Sequence, residues 1–322
     1  MPLTREPSAP ITADLAAVRQ AVQTVLVGQD AALDGVLLAL LTGGHVFLEG
    51  VPGVGKTLLI KTLAGCLDAT FSRVQCTPDL SPLDLLGTAE AVGPIMAHLV
   101  LMDEINRAQP RFQSALLEAM QERQVTYAGT PRPLPSPFLV LATQNPIESE
   151  GTYPLPEAQL DRFLLKLVVP PPPPEDLTEI LRRTTVGAPI TTRPQFTLAD
   201  VRRWQATVRD LPVPRWLLAQ AVALVRASHP DDPTAPDAVR RYVLYGSSPR
   251  GGQALIVGAK ALACLTGKPL SPAHVAAVAP AALRHRLCLN FTGAAAGITP
   301  DVVVEALLST VASDTLVAWR DP

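Results

Sequence analysis

The feature that most constrains this chain is an eight-residue stretch, Gly50-Val51-Pro52-Gly53-Val54-Gly55-Lys56-Thr57, set between two apolar segments of different period. Before it, His45 to Glu49 reads as a short buried strand. After it, Thr57 to Leu67 reads as a helix. Three glycines in such a junction let the backbone turn its N–H groups inward and leave them unpaired, which makes a cradle for phosphate oxygens. A lysine and a hydroxyl residue then follow at the helix start. The spacing G-x-x-x-x-G-K-[ST], with a strand before and a helix after, is that of a phosphate-binding loop. Lys56 can reach the β- and γ-phosphates of a nucleoside triphosphate, and the Thr57 hydroxyl can coordinate Mg²⁺.

A second signal lies 46 residues beyond Thr57, where the apolar run Leu99 to Met102 ends in Asp103 and Glu104. A parallel strand delivers its carboxyl end to the crevice where such sheets bind ligands. Asp103 therefore suits the Mg²⁺ shell, and Glu104 suits a general base for an attacking water. Further strand signals fall at 71–76, 138–142 and 163–169, with helical spacing between them, including one helix opened by Pro110. Strands alternating with helices predict a parallel sheet covered on both faces.

Pro170 to Pro174 interrupts this pattern. Five consecutive prolines continue neither helix nor sheet and predict a stiff extended spacer. Beyond it the periodicity is helical only, over 175–186, 197–208, 214–228, 236–245, 250–266, 271–288 and 300–312. The organisation expected is a flexible N-terminus over 1–10, a nucleotide-binding core over 11–169, a proline linker over 170–174 and a helical domain over 175–322. Charge changes sign at the same place. Residues 1–174 hold 11 Lys/Arg against 17 Asp/Glu, a net of −6, and residues 175–322 hold 16 against 12, a net of +4.

Composition removes other classes. Hydrophobic residues make up 48% and charged residues 17%, which excludes wholesale disorder. Aromatics are only 4%, too few for an extended base-stacking surface, and the acidic core argues against nucleic acid as a partner. No apolar run is long enough to span a membrane and no signal peptide is visible, so a cytoplasmic protein is expected. Cys66, Cys76, Cys264 and Cys288 fit neither a zinc site nor a disulfide framework, and read as scattered thiols in a reducing compartment.

Several longer segments, added to the loop and the acidic pair, resemble the MoxR family of AAA+ ATPases. They are Asp103-Glu-Ile-Asn-Arg-Ala108, Ser114 to Val125, Ala142-Thr-Gln-Asn-Pro-Ile147, Leu155 to Leu164, Gly246-Ser-Ser-Pro-Arg250 and Leu283-Arg-His-Arg286. The resemblance extends over roughly 11–312. It implies an α/β fold with a five-stranded parallel αβα P-loop core followed by an all-α lid. It also implies Mg²⁺-dependent ATP hydrolysis in a homo-oligomeric ring, usually hexameric, with ATP between neighbours. The work implied is chaperone-like remodelling or activation of a client or adaptor, often one with a von Willebrand factor A domain. The motor subunit of a metal chelatase, a DNA-acting motor and a nucleotide-binding scaffold that never hydrolyses are the other readings.

Carried onto this chain, Asn145 matches the sensor that orients the attacking water. Arg162 matches the arginine finger that reaches a neighbour's γ-phosphate, and Arg250 matches a second sensor that contacts the γ-phosphate from the lid. Val27, Gly28 and Gln29 lie where the family holds adenine, and Leu58 completes the loop's helix start. Each has a plainer reading as well. Asn145 could be a turn residue before Pro146, Arg162 could pair with Asp161 or Glu157, and Arg250 could make a simple lid–core contact. A cation after Pro249 at a helix start is unfavourable to the helix dipole, so something should compensate it. Asn106 and Arg107 sit close to the site with no role assigned. Arg284, His285 and Arg286 read as lid surface or ring contact. Residues 123–134 read as a hairpin, with Val125 and Tyr127 alternating and Gly129 turning the chain, of the kind the family projects towards the pore. One departure stands out: family members usually carry a long hairpin in the second core helix, whereas only Thr88 to Val92 separate Gly87 from Gly93 here. Five residues are too few for a two-stranded projection of useful length.

Overall fold

The computed structural model describes residues 9–88, 91–127, 130–145, 151–186 and 192–318. Two compact units emerge. One comprises Ala13–Leu155 with Leu167–Ala206, and the other Met1–Thr12 and Pro156–Lys166 with Thr207–Pro322.

The first unit contains the sheet. All five strands expected from sequence form: β1 (Val46–Gly50), β2 (Phe71–Gln75), β3 (Leu99–Asp103), β6 (Leu139–Gln144) and β7 (Leu165–Val169), the last beginning in the second unit. Between β3 and β6 the chain makes a separate antiparallel pair, β4 (Gln124–Tyr127) with β5 (Thr130–Pro133). The order across the main sheet is β2-β3-β6-β1-β7. The pairs β2–β3, β3–β6 and β1–β6 are parallel, and Gln75 lies opposite Asp103 in register. Leu99 to Met102 and Leu139 to Thr143 are buried throughout. That continuous burial is the signature of parallel strands covered on both faces, and it accounts for apolar runs without alternation.

Helices α1 (Ala9–Gln23), α2 (Asp30–Thr42), α3 (Lys56–Cys66), α4 (Pro82–Leu86) and α5 (Pro110–Glu122) supply the cover. α2 buries Leu33, Val36, Leu37, Leu40 and Leu41, and α5 buries Phe112, Leu116 and Met120. The short link after α4 closes through a lone antiparallel bridge, Gly87 to Val92, and a Thr88 N–H to Ala91 carbonyl bond of 2.8 Å. Ala89 and Glu90 lie outside the described residues. Gly93 runs against α4 so closely that a Cβ would sit 2.2 Å from the Leu86 carbonyl carbon, so only glycine fits. The expected hairpin after α5 is the β4–β5 pair. Its turn residue Gly129 lies outside the described residues, as do Met1–Ser8 of the expected flexible start.

Pro170 to Pro173 carries no regular structure, and Pro174 opens α7 (Pro174–Thr185), a position that needs no backbone N–H. The stretch 167–206, prolines included, groups with the sheet.

The second unit is mostly helical. It contains α6 (Glu157–Leu160), the end of α8 (Leu198–Asp210), α9 (Arg215–Ala227), α10 (Asp237–Tyr242), α11 (Pro249–Thr266), α12 (Pro272–Leu283), α13 (Phe291–Ala295) and α14 (Pro300–Ala318). The helical reading over 236–245 and 271–288 overran. Val243–Tyr245 (β8) leaves the helix and pairs antiparallel with Cys288–Leu289 (β9). β-Branched and aromatic residues there favour an extended backbone, and a pairing partner some 45 residues away has no local signature. No helix among the described residues is long and apolar enough to cross a membrane.

Candidate functional site

The sequence Gly50–Thr57 folds as expected, from the end of β1 into the start of α3. Gly53 and Gly55 take φ of +83° and +87°, where a side chain would be strained. Lys56 Nζ lies back over the loop and donates to the Gly50 carbonyl at 2.6 Å. Burial lowers its pKa, and the Asp103 and Glu104 carboxylates oppose that shift. Gln29, itself at φ +63°, donates from Nε2 to the Val54 carbonyl and so ties Val27–Gly28–Gln29 to the loop. Gly28, at φ +68°, lies against the Asp176 carboxylate.

A cavity of about 390 Å³ opens at the carboxyl ends of the strands. It is lined by Pro52, Gly53, Gly55, Lys56, Thr57 and Leu58 from the loop and the start of α3, Asp103 at the end of β3, Glu104 just after it, and Asn145 after β6. The structure thus gathers nine of the residues singled out in the sequence onto one surface. Thr57 and Asp103 present a hydroxyl and a carboxylate, hard oxygen donors of the type that Mg²⁺ takes. Arg73 and Gln75, which sequence reasoning missed, line the same cavity.

The acidic pair is held in a fixed pose. Arg73 donates to Asp103 Oδ2 from Nη2 at 2.7 Å and from Nε at 3.2 Å. The buried Thr143 hydroxyl donates to Asp103 Oδ1 at 2.7 Å and accepts the Glu104 N–H at 2.9 Å. Glu104 Oε2 accepts from Gln75 Nε2 at 2.9 Å and Arg107 Nη1 at 3.3 Å. Glu104 adopts φ +57°, a left-handed conformation that costs a non-glycine residue about 1–2 kcal/mol. The Thr143 bond to the Glu104 N–H offsets part of that cost, while Gln75 and Arg107 hold the carboxylate. Arg107 is therefore a partner of Glu104. Asn106 is buried, with its Oδ1 unpaired and its carbonyl accepting the Tyr153 N–H. The Cys76 thiol near the acidic pair is pushed up to about 12, first by burial and then by the two carboxylates. It is not a nucleophile at neutral pH.

Arg162 and Arg250 belong to the helical unit and are not among the residues lining this cavity. Among the described residues, the Arg162 side chain makes no ion pair, neither with Asp161 nor with Glu157. Asp161 is engaged elsewhere: by Ser248 Oγ at 2.9 Å, by Arg250 Nη1 at 3.4 Å and by Arg286 Nε at 2.8 Å. Arg250 follows Ser248, the cap of α11, and its guanidinium stays half exposed. The reading of Arg284–Arg286 as surface is corrected. His285 and Arg286 are buried, and Arg284 pairs with Asp301 at 3.0 Å. A charged triplet looks solvated in sequence, but here its partners include backbone carbonyls more than 100 residues away.

A glycine loop between strand and helix, facing two carboxylates at the end of a neighbouring parallel strand, defines a P-loop nucleotide-binding protein of the AAA+ type. Comparison with known proteins narrows this. Residues 45–165 match the family described as ATPase family associated with various cellular activities (AAA), and residues 236–307 match the AAA lid domain. The chain is 44% identical to the chaperone MoxR1 of Mycobacterium tuberculosis, over 90% of this chain and 80% of that one. It is 30% identical to the MoxR protein of Methylorubrum extorquens, over 89% and 91%. A solved structure from Cytophaga hutchinsonii, described as a candidate ATPase, superposes with a TM-score of 0.90 at 38% identity, covering 94% of this chain and 96% of that one. The chain belongs to the MoxR family of AAA+ ATPases.

Proposed function

We propose that this protein hydrolyses ATP in a homo-oligomeric ring, in the family a hexamer, and uses the cycle to remodel or activate a partner protein in the cytoplasm. The observation that carries the reading is the convergence of Lys56, Thr57, Asp103, Glu104 and Asn145 on one cavity. In this reading Val27, Gly28 and Gln29 hold the adenine. The loop N–H groups of Gly53 to Thr57 and the N-terminal end of α3 bind the phosphates. Lys56 leaves the Gly50 carbonyl for the β- and γ-phosphate oxygens. Thr57 and Asp103 would hold Mg²⁺, which supplies charge neutralisation between the β- and γ-phosphates when bound.

Glu104 accepts the proton of the attacking water, and the Asn145 carboxamide orients that water by hydrogen bonding without exchanging a proton. Arg162 from the adjoining protomer offsets the charge that builds on the phosphoryl oxygens, a contribution of about 10³–10⁵ in rate in P-loop enzymes. Arg250 senses the γ-phosphate from the helical unit and shifts that unit once the phosphate leaves. The M. tuberculosis relative is named a chaperone, which supports client remodelling here. The client proposed is a protein or adaptor with a von Willebrand factor A domain.

The test is phosphate release by the wild-type protein with Mg-ATP, beside two variants. K56A is expected to lose ATP binding. E104Q is expected to keep binding while turnover falls 10²–10⁴-fold. No turnover by the wild-type ring despite tight ATP binding would make the protein a scaffold and overturn the reading.

A further inference from the structure

The strongest polar cluster outside the cavity centres on Arg286. Its guanidinium is buried and has five N–H donors, all of them occupied. Nε donates to Asp161 Oδ1 at 2.8 Å. Nη2 donates to the Asp161 carbonyl at 3.0 Å and the Phe163 carbonyl at 2.6 Å. Nη1 donates to the Leu164 carbonyl at 3.1 Å and to the Ala282 carbonyl near the end of α12. Four of the five bonds thus fall on the segment 161–164, and two of them reach the carbonyls on either side of Arg162. His285 adds a bond from Nε2 to the Phe163 carbonyl at 3.1 Å. Arg284 adds one to the Lys166 carbonyl at 3.3 Å. Ser248 Oγ reaches both Asp161 carboxylate oxygens at 2.9 Å.

The result is a clamp on the backbone around one residue, while that residue's own guanidinium takes no ion pair or hydrogen bond among the described residues. A segment fixed only for stability gains nothing from leaving the charge in its middle unpaired. A side chain that must reach outward at a set angle requires a rigid base. We infer that Arg286 is the positioning residue of Arg162: it aims the guanidinium that completes the nucleotide site of the adjoining protomer, and makes it move with the helical unit. This rests on the reading of Arg162 given above. Lysine cannot replace Arg286, because three donors on a flexible stem do not reproduce a planar five-donor fork.

The experiment uses R286K in full-length rings, with ATP affinity read by a fluorescent ATP analogue and turnover by phosphate release. R286K is expected to bind the analogue within about twofold of wild type and to lose at least tenfold in kcat with little change in KM. It is then mixed with E104Q, whose subunits cannot hydrolyse but bring an intact, well-placed Arg162. In mixed rings verified by differently tagged subunits, turnover is expected to return to the level reached by R162A mixed with E104Q. A purely structural role would not give that recovery, since a misfolded subunit is not repaired by its neighbour. Wild-type kcat for folded R286K overturns the inference. So does failure of the R286K mixture while the R162A mixture recovers. Failure of the R162A mixture instead removes the neighbour reading itself. Should R286K not assemble, D161N takes its place in the same mixtures: a kcat loss of at least threefold that the E104Q partner relieves supports the inference, and a wild-type rate overturns it.

Discussion

Arg73 on β2 places its Nη2 2.7 Å from Oδ2 of Asp103 on β3, at the mouth of the cavity that Lys56 and Thr57 also line. The carboxylate proposed to serve Mg²⁺ is thus already matched by a guanidinium. A cation arriving at Asp103 must compete with that pair. Replacing Arg73 with methionine removes the competitor and keeps the aliphatic stem. R73M is expected to lower the Mg²⁺ concentration for half-maximal nucleotide binding by two- to tenfold, read by calorimetric titration of Mg²⁺ at fixed ATP. An unchanged or higher Mg²⁺ requirement would contradict the competition.

Thr143 is the joint between the two carboxylate residues, since its hydroxyl gives to Asp103 and takes from the Glu104 backbone. T143V leaves the partly buried Glu104 N–H without this partner and lets Glu104 relax from its left-handed pose. The expected cost is about 1–3 kcal/mol of unfolding free energy, measured by urea denaturation. Turnover should fall at least tenfold with ATP binding retained, and T143S should recover most of both. Full activity in a folded T143V protein would show that the joint is dispensable.

His45 stands just before β1 in a buried position, accepting the Val140 N–H at Nδ1 (3.0 Å) and lying with Nε2 3.4 Å from the Met120 carbonyl. Burial, helped by Arg123 nearby, pushes its pKa down to about 3. The unfolded chain takes up a proton at this side chain below about pH 6.5, and the folded chain does not. Stability is therefore complete above pH 6.5 and is lost as pH falls towards 3, by about 1.4 kcal/mol per pH unit for one proton. H45Q is expected to show a slope shallower by one proton between pH 6 and 4.5, in urea melts taken across that range. Equal slopes for the two proteins would rule out His45 as a source of acid sensitivity.

The parts of this site legible in sequence are those whose signal is local. The loop Gly50–Thr57 states its own geometry in eight residues, and the run Leu99–Met102 ending in Asp103–Glu104 announces a buried parallel strand delivering charge to its carboxyl end. Arg73 and Gln75 carried no such signal. They are polar positions on an edge strand, and they matter only because the register sets Gln75 opposite Asp103. Thr143 was hidden for the opposite reason, as one hydroxyl in an apolar run where it passes for a filler. Arg286 was misread as surface because its partners are carbonyls at 161–164, and no periodicity records a bond across 125 residues. The β8–β9 pair escaped notice on the same ground.

The most direct test of the proposed site shared between protomers is turnover per protomer as a function of protein concentration, with assembly followed in parallel by sedimentation. The account predicts a per-protomer rate that rises with concentration as protomers associate and levels off once the ring is complete, with R162A flat and low throughout. A per-protomer rate that stays at its plateau value down to concentrations where only monomer sediments would contradict it.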